Sequence, residues 1–131
     1  MPKQIKDPVH GYIEVPSALV PLLDSPAVQR LHHIRQLGFA YLVYPGANHT
    51  RFEHSLGAMH LASLVCRHLG LPESETLTVC TAGLLHDIGH GPYSHASERL
   101  MQNYWEYSHD NIIPFLKTGI IAEILDENDI C

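Results

Sequence analysis

The run Leu84-Leu85-His86-Asp87-Ile88-Gly89-His90-Gly91-Pro92-Tyr93-Ser94-His95 constrains this chain more than any other segment. Leu77, Cys80/Thr81, Leu84 and Ile88 recur at helical spacing, which predicts a helix from about Ser74 to Asp87. Gly89, Gly91 and Pro92 then stop it. Three histidines and an aspartate are thereby gathered within ten residues at a helix end, where glycines let the backbone turn closely. Neighbouring residues on a helix point about 100° apart. His86 and Asp87 can therefore share one ion only in a crevice that a second helix completes.

The preceding helix is the candidate for that role. Thr50-Arg51-Phe52-Glu53 has the form of a capping box, and the helix it opens runs to about Leu69 and closes at Gly70. His54 falls in its first turn and is the candidate third ligand. Mixed imidazole and carboxylate donors suit a divalent transition metal, and open positions make such a site catalytic. Upstream, Ile5–Val15 reads as a hairpin around a Pro/Gly turn. A brief helix is expected near Ala18–Leu23. Ser25-Pro26 starts another, with Val28, Leu31, Ile34 and Leu37 as its apolar stripe and Gly38 as its stop. Residues 39–49 read as a loop. Further helices are expected over Tyr93–Tyr104 and Ser108–Leu116, the latter started or kinked by Pro114. The reading is an all-α domain with a small N-terminal β-hairpin.

With 131 residues there is room for one domain. A hydrophobic fraction of 45% against 17% charged excludes a disordered chain. No apolar run approaches the roughly 20 residues that span a bilayer, and the N-terminus lacks a secretory signal, so a cytoplasmic protein without membrane association is expected. Net charge is −6, with +2 in residues 1–70 and −8 in residues 71–131, which argues against general nucleic-acid binding. The three cysteines form no Cys-x-x-Cys, and Cys66 and Cys80 read as small core residues. The 11 histidines outnumber Lys and Arg together, an excess of metal-ligating and proton-transfer groups.

Thr50-Arg51-Phe52-Glu53-His54-Ser55-Leu56-Gly57 and the 86–95 run resemble the HD-domain phosphohydrolases. Within them the chain is most similar to the deoxynucleoside triphosphate triphosphohydrolases. Asp7-Pro8-Val9-His10-Gly11-Tyr12-Ile13-Glu14, Gln29-Arg30-Leu31, Gln36-Leu37-Gly38 and Tyr44-Pro45-Gly46-Ala47 extend the likeness over roughly residues 3–113. The resemblance implies an HD-domain helical fold in which His54, His86 and Asp87 bind one divalent ion of Fe, Mn, Ni, Zn or Co, with Mg a further candidate. It implies a nucleotide substrate, with Arg51 on the phosphates and Gln36 and Leu37 on the sugar. His90 and His95 would lie beside the triphosphate, with His95 as general acid and His109, followed by Asp110, orienting it. Residues matching Asp24, Gln29 and His32 line a regulatory nucleotide pocket in activated members, where His32 replaces an arginine.

The family's metal shell is closed by an aspartate far beyond the His109 region, and no motif makes Asp126 or Asp129 that ligand. Residues 1–131 are therefore expected to be a single HD domain, either the N-terminal part of a longer phosphohydrolase, the favoured reading, or a natural short form with a three-ligand site; a fragment would be expected to self-associate where covering helices are missing. Two alternatives stand beside triphosphohydrolysis: another nucleotide phosphomonoesterase or phosphodiesterase of the superfamily, and a nucleotide-binding or assembly module without turnover. Of the remaining histidines, His10, His32, His33, His49, His60 and His68 read as structural, and the acidic C-terminal run as a solvated face.

Overall fold

A computed structural model of the chain describes residues 2–93 and 95–130. Strands β1 (Lys3–Asp7) and β2 (Gly11–Val15) pair antiparallel, from Lys3 opposite Val15 to Asp7 opposite Gly11. The Asp7 carboxylate accepts the backbone N–H groups of Val9 and His10, each at 2.8 Å, and so closes the turn between them. Alternation along β2 sends Ile13 and Val15 into the core and leaves Tyr12 and Glu14 outside. The hairpin thus acts as a lid on one side of a helical body.

Two short helices follow, α1 (Val20–Leu23) and α2 (Pro26–Gln29), and each carries proline in its first turn. The single helix expected to reach Leu37 is not formed. After α2 the chain tightens into a 3₁₀ turn, Arg30–His33, and Ile34 turns extended. The stripe explains why. Val28, Leu31 and Ile34 are each three residues apart, the 3₁₀ period, and all three are buried. Beyond them the backbone finds better partners across space. The Ile34 carbonyl accepts the Arg51 N–H at 2.8 Å, and Gln36 N–H donates to the His49 carbonyl at 3.1 Å. Leu37 is consequently 53% exposed and does not belong to the core.

Helix α3 (Arg51–Leu69) begins with both halves of the expected capping box and closes at Gly70. Helix α4 (Glu73–Leu85) ends one residue before His86. The two lie so close that a Cβ at Gly83 would come within 3.2 Å of the Met59 backbone. Then come α5 (His95–Trp105), α6 (Ile113–Lys117), which Pro114 helps to start, and α7 (Ile120–Glu127). The segment read from Ser108 is non-helical until Ile113. The acidic residues of the C-terminal run face solvent, as read, but they share helix α7 with an apolar side that was not expected. Ile121 is buried, and Ile124 and Leu125 pack on the core, while Glu123, Asp126 and Glu127 face outward. The acidic residues masked an i, i+4 apolar pattern.

One core is built from Ile13 and Val15, Leu19, Leu22 and Leu23, Val28, Leu31 and Ile34, Phe52, Leu56 and Met59, Cys80, Leu84, Leu85 and Ile88, and Ile121, while α5 adds no buried residue to it. Cys66 and Cys80 are both buried. No helix among the described residues is long and apolar enough to cross a membrane. The fold is mainly helical with a two-stranded N-terminal hairpin. Because Ile121 is the buried anchor of α7, Ile121→Ala should lower unfolding free energy by about 2–4 kcal/mol. Urea denaturation followed by circular dichroism measures this, and a change under about 0.5 kcal/mol, the size expected at a surface position, would contradict the packing described.

Candidate metal centre

The first turn of α3 and the end of α4 meet at three donor atoms. His54 Nε2 lies 3.1 Å from His86 Nε2. Asp87 places Oδ2 3.6 Å from His54 Nε2 and Oδ1 3.6 Å from His86 Nε2. The two 3.6 Å approaches are to different carboxylate oxygens; one donor atom from each of the three residues lies within 4.8 Å of the other two, a grouping that can hold one metal ion. The ring orientation is set from behind. His86 Nδ1 donates to the Gly83 carbonyl at 2.7 Å, which leaves Nε2 as the free ligand atom.

Protonation states match this use. Burial pushes the Asp87 carboxyl up, but His86, Arg51, His90 and His54 together outweigh it and hold the group below the usual carboxylate range. Burial is the largest cause that lowers His54, with Asp87 opposing it, so the ring favours the neutral form that a metal requires. Behind Asp87 stands Arg51, only 2% exposed, whose guanidinium donates to Oδ2 at 2.6 Å.

A second cluster flanks the first. His90 is 4% exposed, with Nε2 3.5 Å from Asp87 Oδ1, and its ring stacks on His109 at 4.0 Å between centroids. Burial, then Arg51 and His109, push its pKa down to about 4, so this ring is neutral near pH 7. His95, which is largely solvent-facing, points Nδ1 at Glu98 Oε2 across 3.1 Å. The other Glu98 oxygen meets His109 Nδ1, and His109 Nε2 lies 3.0 Å from Asp110 Oδ1. Glu98 therefore joins His95 to His109, and its bond from His95 is the leading reason why its carboxyl sits below the ordinary range. Sequence reasoning missed Glu98. The signal was its place three residues after His95 on one helix, where side chains meet. Gly89 is fixed by crowding, since a Cβ there would fall 2.4 Å from the His109 carbonyl oxygen.

Gln36 and Leu37 lie in the turn of residues 36–39 that follows extended Ile34 and the Arg35 bridge to Thr50. Gln36 Oε1 is buried with no hydrogen-bond partner among the described residues. Asp24, Gln29 and His32 make internal contacts: an ion pair from Lys3 at 2.5 Å, a bond to the Leu23 carbonyl at 2.9 Å, and a stack on Phe52 at 3.7 Å.

Comparison with known proteins matches residues 51–127 to the HD domain. The chain belongs to the HD domain family. The human deoxynucleoside triphosphate triphosphohydrolase SAMHD1 is 50% identical over 100 residues, covering 71% of this chain and 16% of that protein. The Xenopus laevis protein of the same name is 37% identical over 145 residues, covering 98% of this chain and 23% of its own length. The crystal structure of a hypothetical protein from Aquifex aeolicus superposes with a TM-score of 0.84 at 44% identity, over 97% of this chain and 34% of that one. The chain thus spans less than a quarter of the length of these two relatives.

His90 makes a testable pH prediction for the metal-free protein. Its pKa is about 4 in the fold and near 6.5 in the unfolded chain. Between those values the unfolded chain binds more protons, so stability rises with pH, is complete above about 6.5 and is lost as pH falls towards 4. His90→Asn should flatten that rise in urea unfolding measured from pH 4 to 7.5. An unchanged slope would contradict the burial assigned to this ring.

Proposed function

We propose that this chain carries the catalytic centre of a metal-dependent phosphohydrolase that cleaves deoxynucleoside triphosphates to deoxynucleoside and inorganic triphosphate. The reading rests chiefly on the donor triangle of His54, His86 and Asp87, in an HD domain half identical over 100 residues to a protein named for that reaction. Those three side chains would hold the ion. The chemistry it supplies is Lewis acidity towards a phosphoryl oxygen and a lowered pKa for water.

The protein's own groups divide the remaining work. Arg51 holds Asp87 in place as an anion and is assigned to the substrate phosphates beside it. His90, buried and neutral, offers a ring that brings no added positive charge against Arg51. His95 is assigned as the general acid. Its Nδ1 is bonded to Glu98, so Nε2 is the atom that hands a proton to the departing 5′-oxygen as the bond from the α-phosphorus to that oxygen breaks. His109 and Asp110 steady Glu98 from the far side. Gln36, with its unpartnered Oε1, and the exposed Leu37 are assigned to the sugar. Self-association belongs to the same reading, supported by the exposed apolar run Leu42-Val43-Tyr44.

The test is product analysis with deoxynucleoside triphosphates and Mn²⁺, Fe²⁺, Co²⁺ or Mg²⁺. Inorganic triphosphate should appear in stoichiometric amount with deoxynucleoside. His86→Ala should abolish it, and His95→Ala should slow turnover about 10²–10⁴-fold. Release of phosphate alone would instead assign a monoesterase, and nucleotide-induced thermal stabilisation without product would assign a binding module.

A further inference from the structure

The turn that follows the ligand pair has carbonyls that its own helix cannot satisfy. The Ile88 carbonyl would bond the N–H four residues on, but that residue is Pro92, which has none. Tyr93, four residues after Gly89, has a left-handed backbone with φ 62° and so does not continue the helix. Side chains from distant parts of the chain take over. The Arg30 guanidinium donates to the Ile88 carbonyl through one nitrogen and to the His90 carbonyl through another at 2.9 Å. The Tyr107 hydroxyl donates to the Gly89 carbonyl between them. Three successive carbonyls are thus gripped from two sides. His90 N–H in turn donates to the Asp87 carbonyl at 3.1 Å, so the grip passes directly to the ligand's own backbone.

We propose that Arg30 and Tyr107 are positioning residues of the metal centre, holding the 88–90 turn so that Asp87 and His90 face the ion. This inference rests on the metal-centre reading of His54, His86 and Asp87. A planar fork spanning the carbonyls of residues 88 and 90 fixes their relative orientation, which a single ammonium cannot do. Neither residue touches the donor triangle, so the effect is transmitted through the backbone alone.

Co²⁺ loading of the purified chain tests this without reference to turnover, because visible absorption reports coordination geometry and titration gives affinity. The wild type should bind Co²⁺, and His86→Ala should abolish the signal. Tyr107→Phe removes one hydroxyl from a partly buried position, so it should fold with a melting temperature close to wild type yet bind Co²⁺ about 10-fold more weakly with an altered spectrum. Arg30→Lys should weaken binding to a similar extent. Arg30→Ala should weaken it up to about 100-fold, and millimolar guanidinium should restore part of the affinity. Should Tyr107→Phe and Arg30→Lys both fold and bind Co²⁺ as the wild type does, with the same spectrum, the inference is overturned while the metal centre stands. A wild type that takes up no Co²⁺ overturns the metal centre and this inference with it.

Discussion

Burying the carboxylate of Asp87 costs several kcal/mol unless the charge is matched, and nearly everything around the site follows from how that is done. Arg51 meets it with a 2.6 Å charge-assisted bond from the first residue of α3, while His54, His86 and His90 crowd its remaining lone pairs. Taking Arg51 away would leave a nearly buried anion uncompensated, a loss of about 3–5 kcal/mol in comparable pairs. The same ion pair ties the start of α3 to the turn after α4, where the imidazoles of His54 and His86 approach each other.

The surrounding fold serves that meeting. Gly83 lets α3 and α4 approach until backbone nearly touches backbone. The capping box fixes where α3 starts, and so the direction of His54 in its first turn. The Arg51 N–H, which an isolated helix would leave without a partner, is taken by the Ile34 carbonyl. That bond, with the one from Gln36 N–H to the His49 carbonyl, lays residues 34–36 along the start of α3 and helps to end the helical path after His33.

Features written in local chemistry were legible in the sequence. The hairpin, the Thr50 cap and the stop at Gly70 each depend on one or two residues with strong preferences, and the Gly/Pro run placed the end of α4 within two residues of Leu85. The convergence of positions 54, 86 and 87 followed from helix geometry together with the HD-type strings. What escaped depended on contacts distant in sequence or on mixed signals. Val28, Leu31 and Ile34 fit a 3₁₀ turn as well as a helix, and only the cross-chain bonds at Ile34 and Gln36 decide between them. In α7 the acidic residues outweighed an apolar face that has value only against this particular core. Glu98 was hidden because a glutamate in the first turn of a helix is ordinary until His109 arrives from another segment to share it. Arg30 and Tyr107 gave no signal, since backbone carbonyls as partners leave no trace in side-chain spacing.

The central claim, that three side chains from adjacent helices share one cation, is most directly examined by anomalous diffraction at the absorption edge of a metal introduced into crystals of the protein. A single peak within about 2.0–2.3 Å of His54 Nε2, His86 Nε2 and an Asp87 oxygen is the expected result. Metal found only elsewhere, with those donors turned away from one another, would contradict the account.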